Sequence, residues 1–294
     1  MTLARAMQGY VEQMGLQQLE GSVATRLPGV RFFRASRGNP RQPLTYQSGL
    51  LIMGQGHKII HLGEQQVAYG PDSYLVVGVP LPLECEAHCS PEEPILGLAV
   101  DIDAQSLHRL VEQLFPPESP MEPCRSIECG LSSVSLSPPL LGACERLLGA
   151  LTYESEASIL GPGILQEILY RVLTGPYGYV LLELARHDSH YARIARVLGR
   201  IHRDYAAPLT VEGLATEAHM SVSSFHRAFR QVTRVSPLQY MKQIRLNRAR
   251  ELIQREGRGI AEAATLVGYN SPSQFSREYK RHFQNNPRGH QTND

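Results

Sequence analysis

Residues 260–283 read IAEAATLVGYNSPSQFSREYKRHF, and this stretch decides the fold of the last third of the chain. Ile260, Ala263, Ala264 and Val267 recur at helical spacing until Gly268 breaks the pattern, and Ser271 opens a second helical pattern. That predicts helix, turn, helix. Ser271 is a good N-cap, Pro272 suits the first helical position because its missing N–H needs no partner there, and Gln274 completes a capping box. Phe275, Tyr279 and Phe283 then form an inward stripe, leaving Ser273, Gln274, Ser276, Arg277, Lys280 and Arg281 to point outward. A polar, basic helix face beside a short turn suits a DNA groove, although many all-helical domains contain a tight turn of this kind.

The pattern occurs twice. AHMSVSSFHRAFR at 218–230 aligns with GYNSPSQFSREYK at 268–280, setting Ser221 on Ser271, Phe225 on Phe275, Arg227 on Arg277, Phe229 on Tyr279 and Arg230 on Lys280. A repeat at a fixed offset is a fold signature. Between the copies, Ser236-Pro237-Leu238-Gln239 repeats the capping sequence and opens a helix to about residue 255. Its apolar residues Tyr240, Met241, Ile244, Leu246, Ala249, Leu252 and Ile253 fall on more than one side, as expected of a helix lying between two packed units.

Over residues 191–288 this arrangement closely resembles the AraC/XylS-type DNA-binding domain, in which two helix-turn-helix units, here about 210–233 and 260–283, are joined by a long helix. The resemblance implies two recognition helices entering successive major grooves about 34 Å apart. It implies base-edge readers at Ser223, His226 and Arg227 and at Ser273, Gln274 and Arg277. A guanidinium can bridge O6 and N7 of guanine, which favours Arg227 and Arg277, while Arg230, Lys280 and Arg281 suit phosphates. Arg234 stands where the family usually ends its first recognition helix with glycine, and Gln284-Asn285-Asn286 replaces a similar glycine-containing turn after the second. A non-glycine residue at positive φ there costs about 1 kcal/mol.

A chain of 294 residues, 42% hydrophobic, allows about two domains. No apolar run approaches a membrane span, and the opening TLARAMQGYVEQM lacks a signal-peptide core, so the expected location is cytoplasmic with no membrane partner. The net charge of +1 hides a division: residues 192–294 hold 17 Lys and Arg against 8 Asp and Glu, a net of +9, and the remainder holds 12 against 20, a net of −8. A basic module neutralises phosphates, and an acidic remainder adds no nonspecific DNA affinity. Five cysteines, at 85, 89, 124, 129 and 144, make no CxxC pair, which points away from zinc and disulfides and towards reduced thiols.

Leu3, Met7, Tyr10, Val11 and Met14 predict an amphipathic opening helix. From residue 30 to about 102 the runs VRFFRA, LLIMG, KIIHL, QVAYG, SYLVVG, LECEA and ILGLAVDI predict seven short strands, hence a sandwich or barrel. In LECEA, alternation sets Leu83, Cys85 and Ala87 against Glu84 and Glu86, with the apolar face inward. Helical patterns follow at about 104–115, 139–153 and 163–174, with Pro-rich breaks at 115–123 and 161–163, and residues 180–186 form a short helix or connector. The expected boundary is 186–191, before an amphipathic helix packing Ile194, Val197, Leu198, Ile201 and Tyr205. The run QGHKIIHLGEQQVAYGPDSYLVVGVPLPLECEA at 55–87, with SPEEPILGLAVDI at 90–102, resembles the N-terminal sensor domain of one AraC-type subgroup, over about 24–174. That resemblance implies an α+β two-domain chain: residues 1–188 as a cupin-like β-barrel (about 24–103) with a helical appendage (about 104–186), for effector binding, dimerisation or both, and residues 189–294 as an all-α double helix-turn-helix. Double-stranded promoter DNA and a small-molecule effector are the implied partners, and RNA polymerase and a second subunit are compatible with them.

Enzymatic chemistry finds less support. The runner-up is a cupin-like metalloenzyme with a helical appendage, but His57 and His61, with Glu64 nearby, are four apart in a strand, about 13 Å at about 3.3 Å per residue, too far for one ion. No HxH pair exists, and neither a metal site nor a cofactor is expected. Pro123-Cys124-Arg125 resembles the alkyl-accepting Pro-Cys-His-Arg of DNA-repair methyltransferases but lacks the activating histidine. Cys85 and Cys89 are candidates for lining the effector pocket and sensing an electrophile or oxidant; otherwise they are small buried hydrophobes. Neither a phosphate-binding glycine loop nor a GxSxG elbow is present.

Overall fold

Apolar residues at spacings of three and four start the chain as helix α1 (Leu3–Met14), whose buried Leu3, Met7, Tyr10 and Val11 form one stripe. In the computed structural model, which describes residues 2–102, 104–114, 131, 133–185, 189–254 and 256–290, nine strands follow: β1 (Gly21–Ala24), β2 (Val30–Ala35), β3 (Asn39–Tyr46), β4 (Gly49–Gln55), β5 (His57–Leu62), β6 (Gln65–Tyr69), β7 (Ser73–Val77), β8 (Leu81–His88) and β9 (Ile95–Val100). Then come α2 (Ala104–Leu114), β10 (Ser133–Ser135), α3 (Pro138–Leu151), α4 (Glu154–Ile159), α5 (Gly161–Leu173) and α6 (Gly178–Ala185). The remaining helices are α7 (His190–Arg203), α8 (Val211–Glu217), α9 (Val222–Thr233), α10 (Pro237–Gln254), α11 (Ile260–Leu266) and α12 (Pro272–Phe283).

The strands form two antiparallel sheets, ordered β1-β2-β9-β4-β7-β10 and β3-β8-β5-β6, so the expected barrel is open: two stacked sheets instead of a closed ring. All seven expected strands are present. β1, β3 and β10 escape sequence analysis, β3 because Pro40 and Pro43 argue against a strand; at the edge of its sheet, prolines are tolerated where a central strand would lose ladder bonds. Gly161-Pro162-Gly163, expected as a break, is instead the first turn of α5, where proline loses no helical hydrogen bond. The expected break at 115–123, the helix end at 255, the boundary residues 186–188, Cys124, Cys129 and Pro123-Cys124-Arg125 lie outside the described residues.

Register partners share a face. On the large sheet Phe32 pairs with Leu98, and Leu98 with Ile52, and Phe32 meets Tyr10 at 5.0 Å, so this face packs under α1. A Cβ on Gly54 would overlap Met7 Sδ, and its absence lets α1 lie directly on β4. The opposite face carries Phe33, Gly97 and Met53 towards the small sheet. On the small sheet the inward set includes Leu44, Tyr46, Leu83, Cys85, Ala87, Ile60, Tyr69 and, among these apolar and aromatic groups, Lys58, whose Nζ lies 4.8 Å from the Phe33 ring centre. The alternation expected for Leu83, Cys85 and Ala87 is what the strand shows, all three buried, with Glu84 and Glu86 partly exposed on the other face.

One apolar core runs from α1 through both sheets into α7, α8, α9 and the first half of α10 as far as Ile244. A second, smaller cluster joins Leu246, Leu252 and Ile253 of α10 to Ala263, Val267, Phe275 and Tyr279. Helix α10 is therefore greasy on several sides because it serves both.

Candidate nucleic-acid interface

Each helix-turn-helix is locked from within. Phe225 and Phe229 in α9, and Phe275 and Tyr279 in α12, are fully buried, and both ring pairs stack with centroids 5.4 Å apart and planes at 55°, so the sequence repeat is also a geometric one. Ser221 Oγ accepts from the Ser224 N–H and Ser271 Oγ from the Gln274 N–H, each at 3.3 Å, fixing where both recognition helices begin. The return half of the expected capping box is not made: Gln274 Nε2 donates to Glu278 Oε1 at 3.2 Å, one turn along the helix. The turns differ by one position, with His219 left-handed in the first (φ 52°) and Gly268 in the second (φ 83°), where a Cβ would strike the Ala206 carbonyl oxygen. Arg234 (φ 63°) and Gln284 (φ 56°) end α9 and α12 in the left-handed region, the positions at which glycine was missed.

With the inner faces occupied, Ser223, Arg227 and Arg230 on α9 and Ser273, Gln274, Arg277, Lys280 and Arg281 on α12 are exposed, and His226 is half-buried. Among the described residues the side chains of Arg227, Arg230, Arg277, Lys280 and Arg281 have no carboxylate within salt-bridge range. Their neighbours are engaged: Arg200 with Asp204 and Glu217, Arg248 with Glu251 and Glu256, Arg258 with Glu262, Lys242 with Glu278, and Arg245 with the Tyr205 and Ala207 carbonyls. Positive charge is thus left over on the outer faces of the two recognition helices.

Glu278 braces α12 against α10. It accepts from Lys242 Nζ at 3.0 Å, Tyr269 Oη at 2.8 Å and Gln274 Nε2 at 3.2 Å. Burial pushes its carboxyl up, but these hydrogen bonds outweigh burial and hold it below the ordinary carboxylate range.

Sequence patterns did not reveal how the helices are tied to the small sheet. Tyr240 Oη in α10 donates to the Pro80 carbonyl at 2.7 Å and lies 2.8 Å from His202 Nε2, so that nitrogen supplies the proton of the second bond. Asn247 Nδ2 donates to Thr45 Oγ1 at 2.8 Å, Asn247 Oδ1 accepts from His282 Nε2 at 3.2 Å, and Arg250 donates to the Pro43 carbonyl at 2.6 Å. A polar Asn247 among the buried positions of α10 was the available signal.

In the sheets, Cys85 is buried with its thiol 3.7 Å from Tyr46 Oη, Cys89 is half-buried, and burial pushes both thiols up, which disfavours the thiolate. His61 Nε2 lies 2.7 Å from Glu86 Oε1, and among the described residues no group of three or more His, Cys, Asp or Glu could hold a metal ion.

The family described as AraC-type transcriptional regulator N-terminus matches residues 26–180, more than half of the chain. The chain belongs to the AraC-type transcriptional regulators. A helix-turn-helix family matches residues 214–293 of this AraC-type chain. It is similar to the HTH-type transcriptional regulator AlkR of Acinetobacter baylyi, 35% identical over 98 residues, covering 33% of this chain and 32% of AlkR. It is also similar to the HTH-type transcriptional regulator ExsA of Pseudomonas aeruginosa, 25% identical over 186 residues, covering 63% and 66%. The matches thus span about a third of AlkR and just under two thirds of ExsA. Among solved structures, ToxT of Vibrio cholerae with an unsaturated fatty acid bound has the same two-part fold, with a TM-score of 0.59 at 10% identity over 88% of this chain and 92% of ToxT. No described helix of this AraC-type chain is long and apolar enough to cross a membrane.

Proposed function

We propose that this chain regulates transcription by binding specific double-stranded DNA through α9 and α12, under control of a small molecule held in its sheet-rich part. Residues 189–294 are the reader and residues 1–188 the sensor. Ser223, His226, Arg227, Ser273, Gln274 and Arg277 meet base edges, and Arg230, Lys280 and Arg281 grip phosphates. The observation that carries this is the set of five cations left without ion pairs among the described residues on two equivalent, internally locked helices. Since one Gln274 Nε2 hydrogen is drawn to Glu278, its amide oxygen and second Nε2 hydrogen are what it offers to DNA. Control by a small molecule has a parallel in ToxT, solved with an unsaturated fatty acid bound. Pairing with a second subunit through exposed Tyr153, Ile159 and Leu160, and contact with RNA polymerase at the promoter, complete the assignment.

Selection of bound fragments from genomic DNA of the source organism tests it. The expected result is an enriched sequence with two preferred blocks about one helical turn apart. Recovery of fragments without any common sequence would overturn it.

A further inference from the structure

Lys58 is chemically out of place. It sits on the inward face of β5 beside Ile60, with Ala87 and Tyr69 as its cross-strand neighbours. Its ammonium lies over the Phe33 ring, and no carboxylate of the described residues is in range. Burial pulls it below the ordinary lysine value, with the Cys85 and Cys89 thiols opposing weakly. Natural cores avoid an unpaired cation in such a place unless something else satisfies it.

A cavity of about 190 Å³ opens there, lined by Lys58, Phe33, Tyr46, Tyr69 and Leu51 together with Arg31. Arg31 offers a second unsatisfied donor: its NH2 is held by Asp101 Oδ1 at 2.9 Å, while its Nε is buried with no hydrogen-bond partner. Two cations against one carboxylate leave the lining one positive charge in excess, and the remaining wall is mostly apolar and aromatic. An apolar cavity of about 150 Å³ takes a benzene ring, so this one has room for a ring or short chain with an acidic head.

We propose that the cavity between the two sheets binds a small carboxylate with an apolar body, its head on Lys58 and Arg31, and that strand β3 passes its presence to the DNA reader. This rests on the assignment of the sheet-rich part as the sensor, and it adds the place, the ligand class and the route. Leu44 and Tyr46 of β3 face the cavity, while Thr45 between them holds Asn247, which holds His282 on the second recognition helix. Pro43, on the same strand, holds Arg250. A ligand that shifts Leu44 and Tyr46 therefore shifts the strand on which α10 and α12 hang, and its leverage equals its differential affinity for the two strand positions.

Calorimetric titration of the full chain with benzoate, phenylacetate and hexanoate, each against its uncharged amide, tests the site. At least one acid should bind at least about tenfold more tightly than its amide, a preference expected for a charge-assisted bond. Lys58→Met should abolish that preference and Lys58→Arg should retain it, with unliganded melting curves showing that both variants fold. No binding by any of the three acids, equal binding of acid and amide, or an undiminished preference in Lys58→Met would overturn the site. DNA binding measured without ligand reports separately on the reader, so failure of one assignment is not mistaken for failure of the other. For the route, the binding acid should change DNA affinity in the wild type, and Asn247→Ala, which breaks the same link from outside the cavity, should bring the ratio of affinities with and without it towards one while leaving acid binding intact. A ratio of one in the wild type, or an unchanged ratio in Asn247→Ala, would overturn the route.

Discussion

Asn247 Nδ2, in the helix that joins the two helix-turn-helix units, donates to Thr45 Oγ1 on edge strand β3 at 2.8 Å across 202 positions of sequence. The same amide accepts from His282 Nε2 through its oxygen, so one side chain ties sheet, connecting helix and second recognition helix together. Asn247→Ala leaves the partly buried His282 N–H without its partner, and a loss of about 1–3 kcal/mol is expected. Urea unfolding measures it; an unchanged midpoint would show that water replaces the amide at no cost.

Arg277 and Lys280 lie on the same helix, and the proposed function gives them different tasks. Arg277→Ala should cost about 1–3 kcal/mol on the preferred site and relax discrimination at one base pair. Lys280→Ala should weaken all sequences alike and reduce the salt slope by about one. Anisotropy titrations on preferred and random duplexes at several salt concentrations separate the two, and equal losses by both variants on both duplexes would refute the division of labour.

Gln284 closes α12 at φ 56°, a conformation that glycine adopts without a Cβ clash. Gln284→Gly removes that strain of about 1 kcal/mol, and the greater freedom of glycine in the unfolded chain offsets about half of the gain, leaving a net stabilisation of about 0.5 kcal/mol. Thermal melts read this as a rise in midpoint.

His202 and His282 contact the small sheet's side of the reader through Tyr240 and Asn247, and burial pulls both down to about 4 from an ordinary 6.5, with Arg250 adding to the effect at His282. Between those values the unfolded chain binds more protons than the folded one. Stability is therefore full above about pH 6.5 and falls as pH drops towards 4, by an amount approaching about 3 kcal/mol per histidine. A double variant, His202→Gln with His282→Gln, should show a shallower decline over that window in denaturant titrations; parallel pH curves would contradict it.

Most of the reader was legible because local signals agree with one another: serine caps and aromatic stripes repeated fifty positions apart, and a glycine turn in the second copy. Arg234 and Gln284 could be located as strained from the missing glycines alone. Strands β2 and β4 to β9 were legible from β-branched runs, whereas β3 was hidden by its prolines, and Gly161-Pro162-Gly163 looked like a break although it starts a helix. The contacts of Tyr240, Asn247 and Arg250 with β3 and Pro80 join residues 160 to 207 positions apart, and no periodicity encodes them. Lys58 read as one polar letter in KIIHL; only the register with Ala87 and Tyr69 reveals that it points inward.

That one subunit engages two successive grooves as a unit is tested most directly by moving those grooves apart. With the preferred site mapped, about five base pairs, half a helical turn, are inserted between its two blocks and the affinity is remeasured. The second block then faces the far side of the duplex, and α9 and α12, joined through α10, cannot reach both; affinity is predicted to fall by at least about 100-fold, the equivalent of losing one or two well-made base contacts. Undiminished affinity for the lengthened site would contradict the account.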